Sequence, residues 1–108
     1  MTVGTRFSTA GRAALYGLLA DPLRLRIVEL LAAEELCTCH LIAETGAKQT
    51  TISHHLRVLR EAGAVTASEV GRFTWYRLSP ALLDSMASDL TDLMGRAEHA
   101  ARTRPACA

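Results

Sequence analysis

A chain of 108 residues that is 49% apolar, with only two Phe, two Tyr and one Trp, can fill one mainly aliphatic core but not two domains. A net charge of +1 argues against loose polyanion binding and leaves room for a focused basic footprint. Three cysteines cannot all pair within one chain, so no disulfide framework is implied and a reducing cytoplasm fits best.

Residues 1–7 read as a loose arm. Ser8 or Thr9 can cap a first helix, with Ala10, Ala14, Leu15, Leu18 and Leu19 on its apolar side. The run Ala13 to Ala20 is interrupted by Tyr16 and Gly17 and leads into Asp21-Pro22 without a small-residue cleavage site, so it is no secretory signal. No run approaches membrane-spanning length. Asp21-Pro22 pairs a good N-cap with a residue suited to the first helical position. Leu23, Ile27, Leu30 and Leu31 then repeat at helical spacing, which predicts a second helix from Pro22 to about Ala33.

The next stretch, Cys37 to Gly63, organises the chain. It predicts a short helix over His40 to Thr45, ended by Gly46, and another from Gln49 to Ala62, stopped by Gly63. Ile52, Leu56 and Leu59 form the inner face of that fourth helix. Thr50, Ser53, His54 and Arg57 form the outer one: short donors and acceptors, then a cation, with little bulk. A merely solvated face usually mixes Glu and Lys at spacing four. This face instead suits the major groove of double-stranded DNA, with Gln49 and Thr51 at the helix start. His55 falls on the Ile52 side and reads as a packing residue. Lys48 is a poor N-cap, and the sequence offers no reason for it. The charge follows the same division. Residues 46–78 carry Lys48, Arg57, Arg60, Arg72 and Arg77 against Glu61 and Glu69, while residues 29–45 carry Glu29, Glu34, Glu35 and Glu44 with no Lys or Arg.

From Val65 the period changes to that of strands. Val65 to Val70 and Phe73 to Leu78, joined by Gly71-Arg72, predict a β-hairpin. A hairpin directly after a helix-turn-helix makes a wing, and Arg72 at its tip can meet a phosphate, as can Lys48. Ser79-Pro80 starts a final helix, whose stripe of Leu82, Leu83, Met86, Leu90, Leu93, Met94 and Ala97 is more than one small domain readily covers. That stripe suggests a second copy of the chain as its partner. The expected fold is mainly α with a β-hairpin wing: a winged helix-turn-helix of about five helices over residues 8–102, dimeric through the terminal helices, with an N-terminal arm over 1–7 and a C-terminal tail over 103–108.

Cys37 and Cys39 would point to nearly opposite sides of a regular helix, and to the same side on extended backbone. They can therefore share an ion most easily at a helix start. Two neighbouring thiolates suit thiophilic ions and disfavour Mg or Ca. The competing reading makes them small buried hydrophobes, for which the polar run Glu-Glu-Leu-Cys-Thr-Cys-His is a poor setting. His40 can offer a nitrogen, though a lone His more often lies at the surface. Cys107, folded back from either copy, is the candidate third ligand. A thiol enzyme is not expected, since no His–carboxylate pair accompanies the cysteines.

Four segments together, Asp21-Pro-Leu-Arg-Leu-Arg-Ile, Glu35-Leu-Cys-Thr-Cys, Thr51-Ile-Ser-His-His-Leu-Arg-Val-Leu-Arg-Glu-Ala-Gly and Trp75-Tyr-Arg-Leu-Ser-Pro, resemble the arsenical-resistance repressor family (ArsR/SmtB) in order and spacing. The resemblance spans about Leu15 to Leu93. It implies a cytoplasmic homodimeric repressor that binds operator DNA and leaves it when a metal or metalloid binds. Glu35-Leu-Cys37-Thr-Cys39 is similar to the signature of the subgroup that senses at the first helix of the helix-turn-helix. That implies As(III) or Sb(III) as inducer, with Cd(II) or Pb(II) as the alternative, and Cys37 and Cys39 as ligands. Ile42 stands where such arsenite sensors often have another Cys, and residues 1–36 lack the thiols that such cadmium and lead sensors use. Asp84-Ser-Met86 lacks the first His of the family's last-helix site, so zinc or cobalt is not expected there. A repressor of the same fold that responds to thiol oxidation is a further alternative.

Overall fold

The structure, a computed structural model, describes residues 8–107, and the predicted arm over 1–7 lies outside the described residues. The elements run α1 (Thr9–Leu18), α2 (Pro22–Ala33), β1 (Leu36–Cys37), α3 (Thr38–Thr45), α4 (Gln49–Glu61), β2 (Val65–Val70), β3 (Phe73–Leu78) and α5 (Pro80–Glu98). This is the expected five-helix winged helix-turn-helix, with one addition. A two-residue strand joins the hairpin, giving an antiparallel sheet of order β1-β3-β2.

Local chemistry accounts for the boundaries. Ser8, rather than Thr9, caps α1, its Oγ accepting from the Gly11 N–H at 3.0 Å. Asp21 Oδ1 accepts from the Arg24 N–H at 3.0 Å, and Pro22 takes the first turn of α2, where its missing donor costs nothing. Gly46, left-handed at φ 72, ends α3 with its N–H on the Ile42 carbonyl. Gly63, at φ 81, ends α4 in a paired motif: its own N–H reaches the Arg60 carbonyl, and the Ala64 N–H reaches that of Leu59. Ser79 sits at the N-cap of α5 but its side chain does not cap; its N–H donates to the Ala64 carbonyl at 2.8 Å, joining the end of β3 to the start of β2.

The core is aliphatic, as composition requires. Ile27, Val28 and Leu31 of α2, Leu36 of β1, Leu41 of α3, Ile52, Leu56 and Leu59 of α4, and Val65 of β2 form one buried cluster. Burying such a side chain contributes about 1.5–3 kcal/mol, so this cluster sets the position of α4 against α2 and α3. The terminal helices touch it only at their near ends, through Leu19 after α1 and Leu82 of α5. The Tyr16 hydroxyl donates to Asp89 Oδ2 at 2.5 Å, and Arg12 Nε lies 3.6 Å from Asp89 Oδ1, so α1 rests on α5 through polar contacts. Ala10 and Ala14, expected on the apolar side of α1, are exposed, and Leu18 is the buried residue of that helix. On α5 only Met86 is buried.

Candidate metal centre and nucleic-acid interface

Cys37 is at once the last residue of β1 and the N-cap of α3. Its backbone is extended, at φ −93 and ψ 170. Pairing in the sheet sets Leu36 opposite Tyr76 and Cys37 opposite Trp75. The helix then begins at Thr38, two residues before the expected start at His40, because Cys37 already supplies a capping geometry. The extended residue followed by a first helical turn brings both thiols to one side, and Cys37 Sγ lies 2.7 Å from Cys39 Sγ. The two differ in exposure. Cys39 is exposed, but Cys37 is 3% exposed. The polar run around it is thus no obstacle to burial, because the strand pairing with β3 removes its backbone and side chain from water.

His40 completes the group. Its Nδ1 accepts from the Cys37 N–H at 3.1 Å and lies 3.2 Å from Cys37 Sγ. The ring is half-buried and stacks at a tilt on Trp75, with centroids 5.4 Å apart. A surface His, which the sequence favoured, is therefore replaced by one aimed at the sulfurs. Among the described residues, the ligand atoms of Cys37, Cys39 and His40 all lie within 4.8 Å of one another. Phe73 and Trp75 wall the same recess, of about 190 Å³. Burial pushes the Cys37 thiol up, but the contact with Cys39 Sγ and the backbone N–H groups at the start of α3 outweigh it and leave it lowered. The Cys39 thiol is pushed up by the same contact and by burial. Two sulfurs and an imidazole nitrogen, with no carboxylate in the cluster, fit a thiophilic ion. Cys107 is exposed in the tail and takes no part in this cluster. At the end of α5, His99 turns its Nδ1 onto the Gly95 carbonyl at 2.9 Å.

The fourth helix presents two clean faces. Ile52, His55, Leu56 and Leu59 are buried, while Lys48, Gln49, Thr50, Thr51, Ser53, His54 and Arg57 are all exposed. Arg57 Nη2 lies 3.4 Å from His54 Nδ1, so the two polar heads stand side by side. Lys48 occupies the N-cap with no side-chain hydrogen bond to the helix. At the wing tip Gly71, at φ 63, and the exposed Arg72 make a two-residue turn between the paired Val70 and Phe73.

His55 is a packing residue, as its position on the helix predicts, and it is also a hydrogen-bonding one. It is 7% exposed, its Nδ1 accepts from Arg24 Nε at 3.2 Å, and its Nε2 lies 3.8 Å from Asp21 Oδ1. The start of α2 is thereby tied to the middle of α4. Arg24 lies off the apolar stripe of α2, and in the sequence only a polar residue at a core position of α4 signals that something has to meet it.

The profile of the bacterial regulatory protein arsR family matches residues 21–67, which hold α2, the Cys37, Cys39 and His40 cluster and the whole of α4. The arsenical resistance operon repressor of Staphylococcus aureus is 38% identical over 73 residues, 68% of this chain and 70% of that one. The chain belongs to the ArsR family. The arsenical resistance operon repressor of Escherichia coli K12 is 45% identical over 67 residues, and the match spans 57% of its length. The crystal structure of a possible transcriptional regulator for arsenical resistance superposes with a TM-score of 0.66 at 35% identity, covering 82% of this chain and 97% of that one. Membership of the ArsR family makes this chain a DNA-binding transcriptional repressor and not an enzyme. Among the described residues, no helix is long and apolar enough to cross a membrane.

Proposed function

We propose that this ArsR-family repressor works in the cytoplasm as a homodimer, holds its operator through α4 and the wing, and releases it when As(III) or Sb(III) binds Cys37 and Cys39. The observation that carries this reading is the 2.7 Å approach of the two sulfurs at the start of α3. Thr50, Ser53, His54 and Arg57 read base edges from the exposed face of α4, with Gln49 and Thr51 at its first turn. Lys48 and Arg72 contact phosphate. That role gives the unusual N-cap a reason: without a side-chain cap, the first-turn amides of α4 and the Lys48 ammonium both suit an anion.

The position of the cysteines supports coupling between inducer and DNA. Cys37 belongs to β1, which pairs with wing strand β3, and it also starts α3, which packs against α4 through the buried Leu41. An ion held by both sulfurs must spread them from their 2.7 Å contact, and so acts on the wing and on the support of α4 at once. A coupling of about 1–3 kcal/mol gives a 5–150-fold loss of operator affinity. Cd(II) or Pb(II) is the second reading for the inducer, favoured by the imidazole nitrogen beside the sulfurs.

The test is release of fluorescent operator DNA by sodium arsenite, from protein kept reduced with a phosphine. Cys37→Ser and Cys39→Ser bind DNA as the wild type does and fail to release it. Release that requires an oxidant would instead favour a thiol-redox switch on the same two residues.

A further inference from the structure

We propose that His40 Nδ1 is the third donor of the metal site, so that one protomer alone supplies a complete set of two sulfurs and one nitrogen. This rests on the reading of Cys37 and Cys39 as ion ligands, and adds to it the identity of the third ligand and the class of ion that follows. The backbone N–H of Cys37 can only donate, so the Nδ1 that accepts it at 3.1 Å carries a lone pair rather than a proton. That is the form of imidazole that binds metals. The same nitrogen lies 3.2 Å from Cys37 Sγ, and all three donor atoms fall within 4.8 Å of one another. Trp75 packs against the imidazole at a tilt, with ring centroids 5.4 Å apart. The first turn of α3 thus carries the whole donor set in four consecutive residues. An entering ion replaces the Cys37 N–H as the partner of the lone pair.

The donor set has consequences for selectivity. Two thiolates with one imidazole suit a soft or borderline divalent cation, leaving its remaining coordination to solvent from the recess. Arsenite then rests on the two sulfurs alone, while a divalent cation engages all three donors. Neither the tail nor a second protomer is required.

The probe is cadmium chloride, titrated into the full-length, phosphine-reduced protein labelled with ¹⁵N-histidine. Ultraviolet charge-transfer absorbance counts thiolates on the ion, and the ring ¹⁵N shifts identify the ligating nitrogen. The expected result is two thiolates per cadmium, a shift of His40 Nδ1 on binding, and unchanged affinity in Cys107→Ser. His40→Gln loses about tenfold or more in cadmium affinity. Glutamine at this third helical position still reaches back to the Cys37 N–H, so the helix start is kept while the ligand is lost. The wild-type ¹⁵N shift reads the same question without any variant. An unshifted His40 ring, wild-type affinity in His40→Gln, or a loss confined to Cys107→Ser would each overturn the proposal. Wild-type cadmium affinity in both Cys37→Ser and Cys39→Ser would overturn the cysteine site itself, and His40 with it.

Discussion

At the scale of single residues, Arg57 offers the clearest test of base reading. It is exposed on α4, 3.4 Å from His54, and both lie opposite the buried Ile52, Leu56 and Leu59. Arg57→Ala is expected to weaken operator binding by about 1–3 kcal/mol and relax sequence preference at one position. Competition binding against operator and random duplexes checks this; an equal loss on both would reduce Arg57 to a phosphate contact. This outer face was legible in the sequence because helical period alone sorts α4 into two faces. The chelating geometry of the cysteines was legible for a similar reason, since a two-residue spacing converges only where the backbone is extended, and Cys37 at ψ 170 meets that condition. Their difference in burial was not. It depends on Trp75, a cross-strand neighbour distant in the chain. The role of His40 was hidden likewise, because a lone His in a sequence does not reveal which atom its ring faces.

At the scale of elements, caps and glycines announced themselves and β1 did not. Asp21-Pro22 and Gly63 mark helix ends by local rules, whereas a two-residue strand has no period to detect and exists only because β3 pairs with it. The link between α2 and α4 is also tertiary. His55 on α4 meets Arg24 and Asp21 at the start of α2, and no periodicity joins them. This link predicts a pH dependence. Burial, assisted by the Arg24 and His54 charges and opposed by Asp21, holds His55 below its ordinary pKa of about 6.5. The folded imidazole therefore resists a proton that the unfolded chain accepts. Its contribution to stability is full above about pH 6.5 and is lost as the pH falls from there toward the lowered folded value. The expected observation is a melting midpoint that drops on acidification from neutral pH. In His55→Gln, which keeps a polar group but does not titrate, that drop should shrink. An equally steep drop in His55→Gln would assign the acid sensitivity to other groups.

At the scale of the whole molecule, the radius of gyration is 18.0 Å, against about 13 Å for a compact domain of some 100 residues. The extents, 64 × 31 × 22 Å, describe an elongated body. Its far helix carries Leu90, Leu93 and Met94 at 50%, 44% and 60% exposure, in line with the buried Met86. The sequence shows this stripe and suggests a second copy to cover it, but helical period alone reports only that the face is apolar. The monomer leaves it uncovered, so the stripe suits a second copy packed through α1 and α5. Leu90→Glu separates the two possibilities. Leu90 is half exposed in the monomer, so a carboxylate there stays in water and should leave the melting of the isolated fold nearly unchanged. In a dimer the same carboxylate is buried without a partner, at a cost of several kcal/mol. The expected result is a folded monomer by sedimentation, with operator affinity lost together with the dimer, since two recognition helices must be held about one DNA turn apart. A dimer that persists in Leu90→Glu would place the interface elsewhere. Operator binding that survives in a proven monomer would show that one copy of α4 and its wing suffices to hold DNA.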